Sequence, residues 1–172
     1  MKYITLIFIL FITVVGVQFN SEYYINHSND TIKGEVIGNN SKVVYFLVND
    51  EKIKLKPKDI KSFVVNDEFD KLVKYVTLKN DKNDFFEEAI VGQLSHYYLR
   101  TFNPYDGEKL IFPLLVKNDE IVYVDASNSK KRIAKLISDC PFLLKEWTET
   151  NKYPDYDIIK ITEAYNKCKR QL

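Results

Sequence analysis

The chain has 172 residues, with 25 basic and 24 acidic side chains and two cysteines. This length suits one domain with a sizeable core and leaves little room for a second. Lysines interleave with acids, as in Lys79–Asp84 and Asn66–Lys71, which reads as a solvated surface and excludes the basic stripe of a nucleic-acid binder.

Met1-Lys2-Tyr3 supplies one positive charge, and Ile4 to Val17 follows without any charge. A charged start before an apolar run is the layout of a secretory signal. The run is shorter than the roughly 20 residues that cross a bilayer. Val14 and Gly16 suit positions −3 and −1 of a peptidase site, so residues 1–16 are expected to be removed, with a cut a few residues later as the variant. An uncleaved anchor is the alternative. No cysteine lies near the cut, which excludes a lipid-modified N-terminus. Without residues 1–16 the chain carries 24 basic and 24 acidic side chains.

Residues 17–30 have no sustained period and are expected to form a loose leader. From there a β body is expected over 31–126. Thr31–Ile37, Lys42–Val48, Lys52–Lys56 and Ile60–Val65 alternate or run apolar, separated by Gly38–Ser41, Asn49–Glu51 and Pro57–Asp59. Short polar turns between such strands predict antiparallel pairing in a meander or small-barrel-like sheet. A second block follows: Leu72–Lys79, Phe85–Val91, Leu94–Phe102, Lys109–Val116 and Ile121–Asp125, with Asn80–Asp84 among its turns. Pro113 lacks an N–H and marks an edge or a bulge.

At Ser127 the period changes, and 127–172 is expected to be helical. Ile133, Leu136, Ile137 and Cys140 recur as an amphipathic stripe, with Ser127 or Ser129 as its cap. Pro141 suits the first position of a helix to Glu149. A last helix spans Asp155–Lys169, with Ile158, Ile161, Tyr165, Cys168 and Leu172 along one side. The fold class is therefore α+β: one domain, mainly antiparallel β, with C-terminal helices.

Cys140 and Cys168 each fall on the apolar stripe of a C-terminal helix. In an oxidising compartment they are expected to form a disulfide, worth about 3.6 kcal/mol by loop closure. The alternative is two buried thiols acting as small hydrophobes. Their separation does not suit a redox-active pair. Zinc is not expected, because His27 and His96 are the only histidines.

No motif assigns an activity, and no cofactor or metal is expected. Ser95 and His96 are adjacent on a strand, so they point to opposite faces and cannot form a dyad. Asn80–Asp84 offers oxygens for calcium but lacks the loop spacing and distal Glu. Glycan-acceptor patterns begin at Asn26, Asn29 and Asn39, as an Asn-rich chain produces by chance. The cluster with most content is aromatic: His96, Tyr97, Tyr98, Phe102 and Tyr105. One face of this strand should be core, and the other could present an aromatic strip to a glycan or a partner protein. Core packing is the competing reading, since AT-rich codons alone account for much of the twelve Tyr and eleven Phe.

The segments DTIKGEVIG, KIKLKPKDIKSF, EEAIVGQLSHYYLRTF and LISDCP, with the closing AYNKC, resemble a group of uncharacterised exported proteins of Bacteroidetes. Gly92, Leu94, Tyr97 and Tyr98 match that group's pattern. The resemblance implies export and the paired placement of Cys140 and Cys168, and it implies no activity. The expected function is a non-enzymatic binding or structural protein of the cell envelope, periplasmic or extracellular, whose partner is an envelope protein or a glycan. It would meet a membrane only through its signal during export. The alternative is an envelope hydrolase with a site around His96 and the acids near Glu87.

Overall fold

A strand with one apolar face is stable only when that face is covered, and in this chain two separate pieces do the covering. A computed structural model describes residues 22–124, 129–150, 152–153 and 157–170. Eleven strands are described: β1 (Tyr23–Asn26), β2 (Thr31–Lys33), β3 (Glu35–Asn39), β4 (Val44–Val48), β5 (Glu51–Leu55), β6 (Ile60–Asn66), β7 (Leu72–Leu78), β8 (Asp81–Ile90), β9 (Ser95–Phe102), β10 (Lys109–Lys117) and β11 (Glu120–Tyr123). Three helices follow: α1 (Ser129–Leu136), α2 (Pro141–Glu149) and α3 (Ile158–Arg170). The strands form an eight-stranded sheet ordered β11-β10-β9-β8-β7-β6-β1-β2 and a three-stranded sheet β3-β4-β5. All pairing is antiparallel. The antiparallel α+β class with helices gathered at the C-terminus is thus borne out. The meander expected over the first four strands is divided, since β3-β4-β5 form the small sheet while β2 and β6 join the large one, where β6 to β11 make a meander of their own.

The segment 17–30, expected as a loose leader, requires correction over its described part. Tyr23–Asn26 is a strand that pairs with both β2 and β6, placing Tyr24 opposite Phe63. A four-residue strand paired with a segment some forty positions away leaves no local period to read. Glu22 strengthens the attachment. Its carboxylate accepts the Val36 amide at 2.5 Å and the Asn66 amide at 2.9 Å, so one side chain joins the two sheets.

The strand expected over Thr31–Ile37 divides at Gly34, where the chain leaves the large sheet for the small one. A Cβ at Gly34 would lie 2.7 Å from the Leu47 carbonyl oxygen and 2.8 Å from a Val48 methyl, so only glycine allows this crossing. Asn80–Asp84 also differs from expectation. The tight turn is at Lys79-Asn80, and β8 already begins at Asp81. Pro113 lies within β10, at the point where the β11 pairing stops with Leu114 opposite Tyr123. Its carbonyl still accepts the Val124 amide at 2.9 Å. The ladder thus loses only the N–H that proline lacks.

Register places Tyr24, Phe63, Tyr75, Glu87, Tyr98 and Pro113 in one row across the large sheet, on one face. Part of that face packs beneath the small sheet: Phe63 and Phe85 bury against Val44 and Phe46, with Phe63 edge-on to Phe85 at 4.9 Å. Another part packs beneath the helices. Leu94, Leu115 and Val122 meet Ile133, Ile137, Leu143, Trp147, Ile161 and Tyr165 there. On the opposite face Val76, Phe86, Tyr97 and Leu114 form a third cluster. Lys79 and Asn80 of one hairpin turn bond Asp119 of another, at 2.5 and 2.8 Å, so the sheet curls around this cluster.

The apolar stripe Ile133, Leu136, Ile137 and Cys140 is buried throughout. Its last part is a turn after α1 rather than further helix, and Pro141 opens α2 as the missing N–H requires. The described helical stripe of α3, Ile158, Ile161 and Tyr165, is buried as well. The expected leader 1–16, the boundary at 126–127, the Ser127 cap and Leu172 lie outside the described residues.

Cys140 and Cys168 form the expected disulfide, with Cα atoms 6.6 Å apart across a separation of 28 residues. Asp139 adds a polar tie beside it. Burial alone would raise its carboxyl pKa, but hydrogen bonds from Lys117 (2.7 Å) and Tyr165 (3.0 Å), with help from Lys169, lower it to about 2. Replacing both cysteines by alanine is expected to lower the unfolding free energy by about 3.6 kcal/mol, the loop-closure value for this span. Urea titration of the purified protein checks this: the midpoint should fall, and the slope should rise as the uncrosslinked denatured chain exposes more surface.

Candidate functional site

The aromatic cluster lies on β9, whose alternation sends its residues apart. His96, Tyr98, Arg100 and Phe102 share the covered face, while Tyr97 points into the opposite cluster. Tyr97 is buried, and burial raises its phenol pKa above the ordinary value. Tyr98 is half-buried. Phe102 is 51 % exposed, and Tyr105, in the turn after β9, is 96 % exposed. The five residues therefore do not form one surface. Two are core, Tyr98 sits between, and Phe102 and Tyr105 remain at the solvent end.

His96 is 1 % exposed, and neither ring nitrogen has a hydrogen-bond partner among the described residues. Its strand neighbours are Ile90 and Leu115, and the Tyr98 ring stands edge-on at 4.5 Å. Burial among these groups pushes the imidazole pKa down to about 4, with the Glu87 charge opposing. Ser95, on the other face, exchanges hydrogen bonds with the Gly92 backbone at 3.1 and 3.2 Å. The adjacent Ser95 and His96 thus point apart, as strand geometry requires.

Further along β8 and β9, beyond the helical cover, the same face turns polar. Arg100 forms a two-point pair with Glu87: Nε donates to one carboxylate oxygen and Nη2 to the other, the latter at 2.9 Å. Tyr75 donates its hydroxyl to Glu87 at 3.4 Å. Burial, then the Glu87 charge, pushes the Tyr75 phenol up to about 12. The Glu87 carboxylate is thus committed to Arg100 and Tyr75, and no hydrogen bond joins it to His96. Sequence reasoning placed the acids near Glu87 beside His96 in the alternative hydrolase site, where no hydrogen bond joins them, and missed Arg100. Their link was readable only through the register that sets Glu87 opposite Tyr98, two positions before Arg100.

Beside this pair a pocket of about 210 Å³ opens between the two sheets. Its walls are Asn39, Asn40 and Ser41 from the small sheet and its turn, Tyr75, Phe85 and Arg100 beneath, and Phe102 and Ile111 at the rim. Ser41 is pinned there, accepting the Phe85 amide at 2.7 Å, and its neighbour Lys42 pairs with Asp84 at 2.6 Å. Asp84 belongs to the stretch weighed for calcium, and its carboxylate is occupied by that lysine. His27 is exposed and bonds the Lys58 carbonyl at 2.8 Å. Among the described residues no three His, Cys, Asp or Glu side chains gather in a way that could hold a metal ion.

Comparison with protein-family models, with curated proteins and with solved structures finds no match to this chain.

The sealed histidine has a measurable consequence. The folded chain keeps His96 neutral where an unfolded chain would protonate it. Between pH 6.5 and about 4 the unfolded state therefore binds more protons, and stability falls as pH drops through that window. Above pH 6.5 the contribution is fully present. The loss across the window is about 3 kcal/mol, at roughly 1.4 kcal/mol per pH unit. Chemical denaturation of wild type and His96→Phe at several pH values tests it, and the variant should lose most of this acid sensitivity.

Proposed function

We propose that this chain is an exported, non-enzymatic binding protein of the cell envelope that holds a carbohydrate chain at the pocket between its two sheets. One observation carries the reading: exposed Phe102 and Ile111 border a pocket whose other walls place amide, hydroxyl and guanidinium groups beside Phe85, Leu110 and Lys109. A sugar ring offers an apolar C–H face for an aromatic side chain, and hydroxyls for Asn39, Asn40, Ser41 and Arg100. A site of about 210 Å³ is smaller than the roughly 300–1,000 Å³ that encloses a drug-sized ligand. It suits one unit of a longer chain, with Tyr105 as a further exposed ring on the neighbouring turn.

Export is supported by the charged start and short apolar run of residues 1–17, by the resemblance to exported proteins of Bacteroidetes, and by the disulfide, which persists in oxidising compartments. The non-enzymatic reading is supported by His96, which lines none of the pockets described and shares no hydrogen bond with a carboxylate among the described residues. A general base must come within hydrogen-bond reach of the proton it removes.

Two measurements test the reading. Binding to immobilised envelope polysaccharides should be seen for the wild type and should weaken about tenfold in Phe102→Ala, as expected when a desolvated aromatic anchor is removed. Equal binding by the variant would sink the site, and specific recovery of an envelope protein in its place would give the partner role to a polypeptide. N-terminal sequencing of the protein from its own cells should read from about Val17, in the periplasmic or extracellular fraction. A cytosolic protein beginning at Met1 would remove export.

A further inference from the structure

A second and larger pocket, of about 740 Å³, lies between the β8–β9 connection and α3. The connection is held against the helix by Asn166, which imitates a strand. It accepts the Leu94 amide at 2.9 Å and donates to the Leu94 carbonyl at 2.8 Å. Gly92 approaches so closely that a Cβ would lie 2.4 Å from the Asn166 side-chain nitrogen. This wall of the pocket is thus built by specific contacts.

Charge on the lining is one-sided. Lys160, Lys167 and Arg170 face a single carboxylate, Glu163. Elsewhere in the helical layer Lys135, Lys145, Lys152 and Lys169 each have a carboxylate within 4.0 Å. Lys160 is paired with Asp157 at 2.6 Å, whereas Lys167 has no ion pair among the described residues. Arg170 uses Nε on the Asn166 carbonyl at 3.2 Å. From Lys160 to Arg170 the helix rises about 15 Å, so the cations are spread along a line. Beside the polar Gln93 and Asn166, the rest of the lining offers an apolar and aromatic wall of Ile90, the exposed Val91 and Tyr153.

We propose that this pocket binds an acidic polysaccharide, with uronate-type carboxylates meeting Lys167 and Arg170 and sugar faces resting on Val91 and Tyr153. A cleft lined by one sign of charge concentrates the field that an exposed lysine loses to solvent. The apolar wall selects sugar over a bare polyanion, because a phosphate chain presents no C–H face to it. The chain has almost no net charge to attract polyanions at long range, so recognition depends on the fit of this pocket. The inference extends the carbohydrate reading to a second site. It does not involve Phe102, so each site can fail without the other.

Isothermal titration of the full exported chain at low salt, with its disulfide intact, tests this using oligogalacturonate, a neutral maltooligosaccharide and inorganic polyphosphate. Oligogalacturonate should bind, should weaken as salt rises, and should be preferred to both other probes. Charge reversal in K167E/R170E should weaken it by about tenfold or more, while K131E, on exposed α1 surface outside the pocket, should leave it unchanged. V91E places a carboxylate on an exposed position of the opposing wall and should weaken binding without touching the helix, so it decides the matter if the double variant does not fold. Phe102→Ala should bind oligogalacturonate at this site as the wild type does. Undiminished binding by V91E or by a folded K167E/R170E, no binding of oligogalacturonate at low salt, or equal binding of polyphosphate or the neutral sugar would overturn the assignment.

Discussion

One face of an eight-stranded sheet has to be kept from water, and this chain covers it with two unrelated pieces. The small sheet β3-β4-β5 lies over Phe63 and Phe85, and the helices lie over Leu94, Leu115 and Val122. Neither cover reaches the whole row that runs from Tyr24 to Pro113. Between them the face changes chemistry, with Glu87, Arg100, Tyr75 and Tyr98 standing where phenylalanines and leucines stand on either side. Water reaches this seam, so apolar residues there would gain little from burial. A charged pair that is only partly desolvated avoids most of the penalty of a fully buried one. With side-chain exposures of 44 % for Arg100 and 14 % for Glu87, the carboxylate carries more of the desolvation. It is also the member with two partners. The candidate binding pocket is a consequence of this arrangement, because it is the part of the seam that neither cover fills.

Most elements were legible because their signals are local. Alternation in Lys52–Lys56, the apolar run of Lys42–Val48 and the stripes Ile133/Leu136/Ile137 and Ile158/Ile161/Tyr165 each state a burial direction within one or two turns of chain. The cysteine pair was legible for the same reason, since each lies on its own stripe. Elements whose existence depends on a distant partner were not. Tyr23–Asn26 is a strand because β6 offers Phe63 and Ser62 to Tyr24 and Ile25, and nothing within 17–30 announces it. The start of β8 at Asp81 was hidden by polar residues that suggest a loop. Asp84 is buried in that strand because Lys42 meets it from the small sheet.

The site was less legible than the fold. Alternation correctly separates His96 from Ser95 and Tyr97, but it cannot say which face receives the helices or where that cover ends. His96 is sealed beneath the cover, whereas Phe102, three steps of the pleat further on the same face, lies beyond it. Their exposures of 1 % and 51 % differ for a reason belonging to α3 and to the small sheet, neither of which is encoded near β9. Arg100 was invisible for a related reason. One arginine among many charged residues acquires meaning only when register brings Glu87 within its reach.

The helical cover has its own asymmetry. One side of α3 is fastened several times over: Tyr165 bonds Asp139, Cys168 is covalently tied to Cys140, Lys169 pairs with Asp139, and Asn166 grips Leu94. A helix of thirteen residues has only marginal stability in water, so these tertiary ties keep it in place. They also fix its rotation. With Ile161 and Tyr165 turned into the core and Asn166 locked on the β8–β9 connection, Lys160, Lys167 and Arg170 are left to line the adjoining pocket. The favourable interaction of late-helix cations with the macrodipole explains why Lys167 and Arg170 are tolerated together. It does not account for Lys160, which sits in the first turn, where that interaction is unfavourable, and is offset locally by Asp157. The line of charge along this pocket therefore follows only in part from what stabilises the helix.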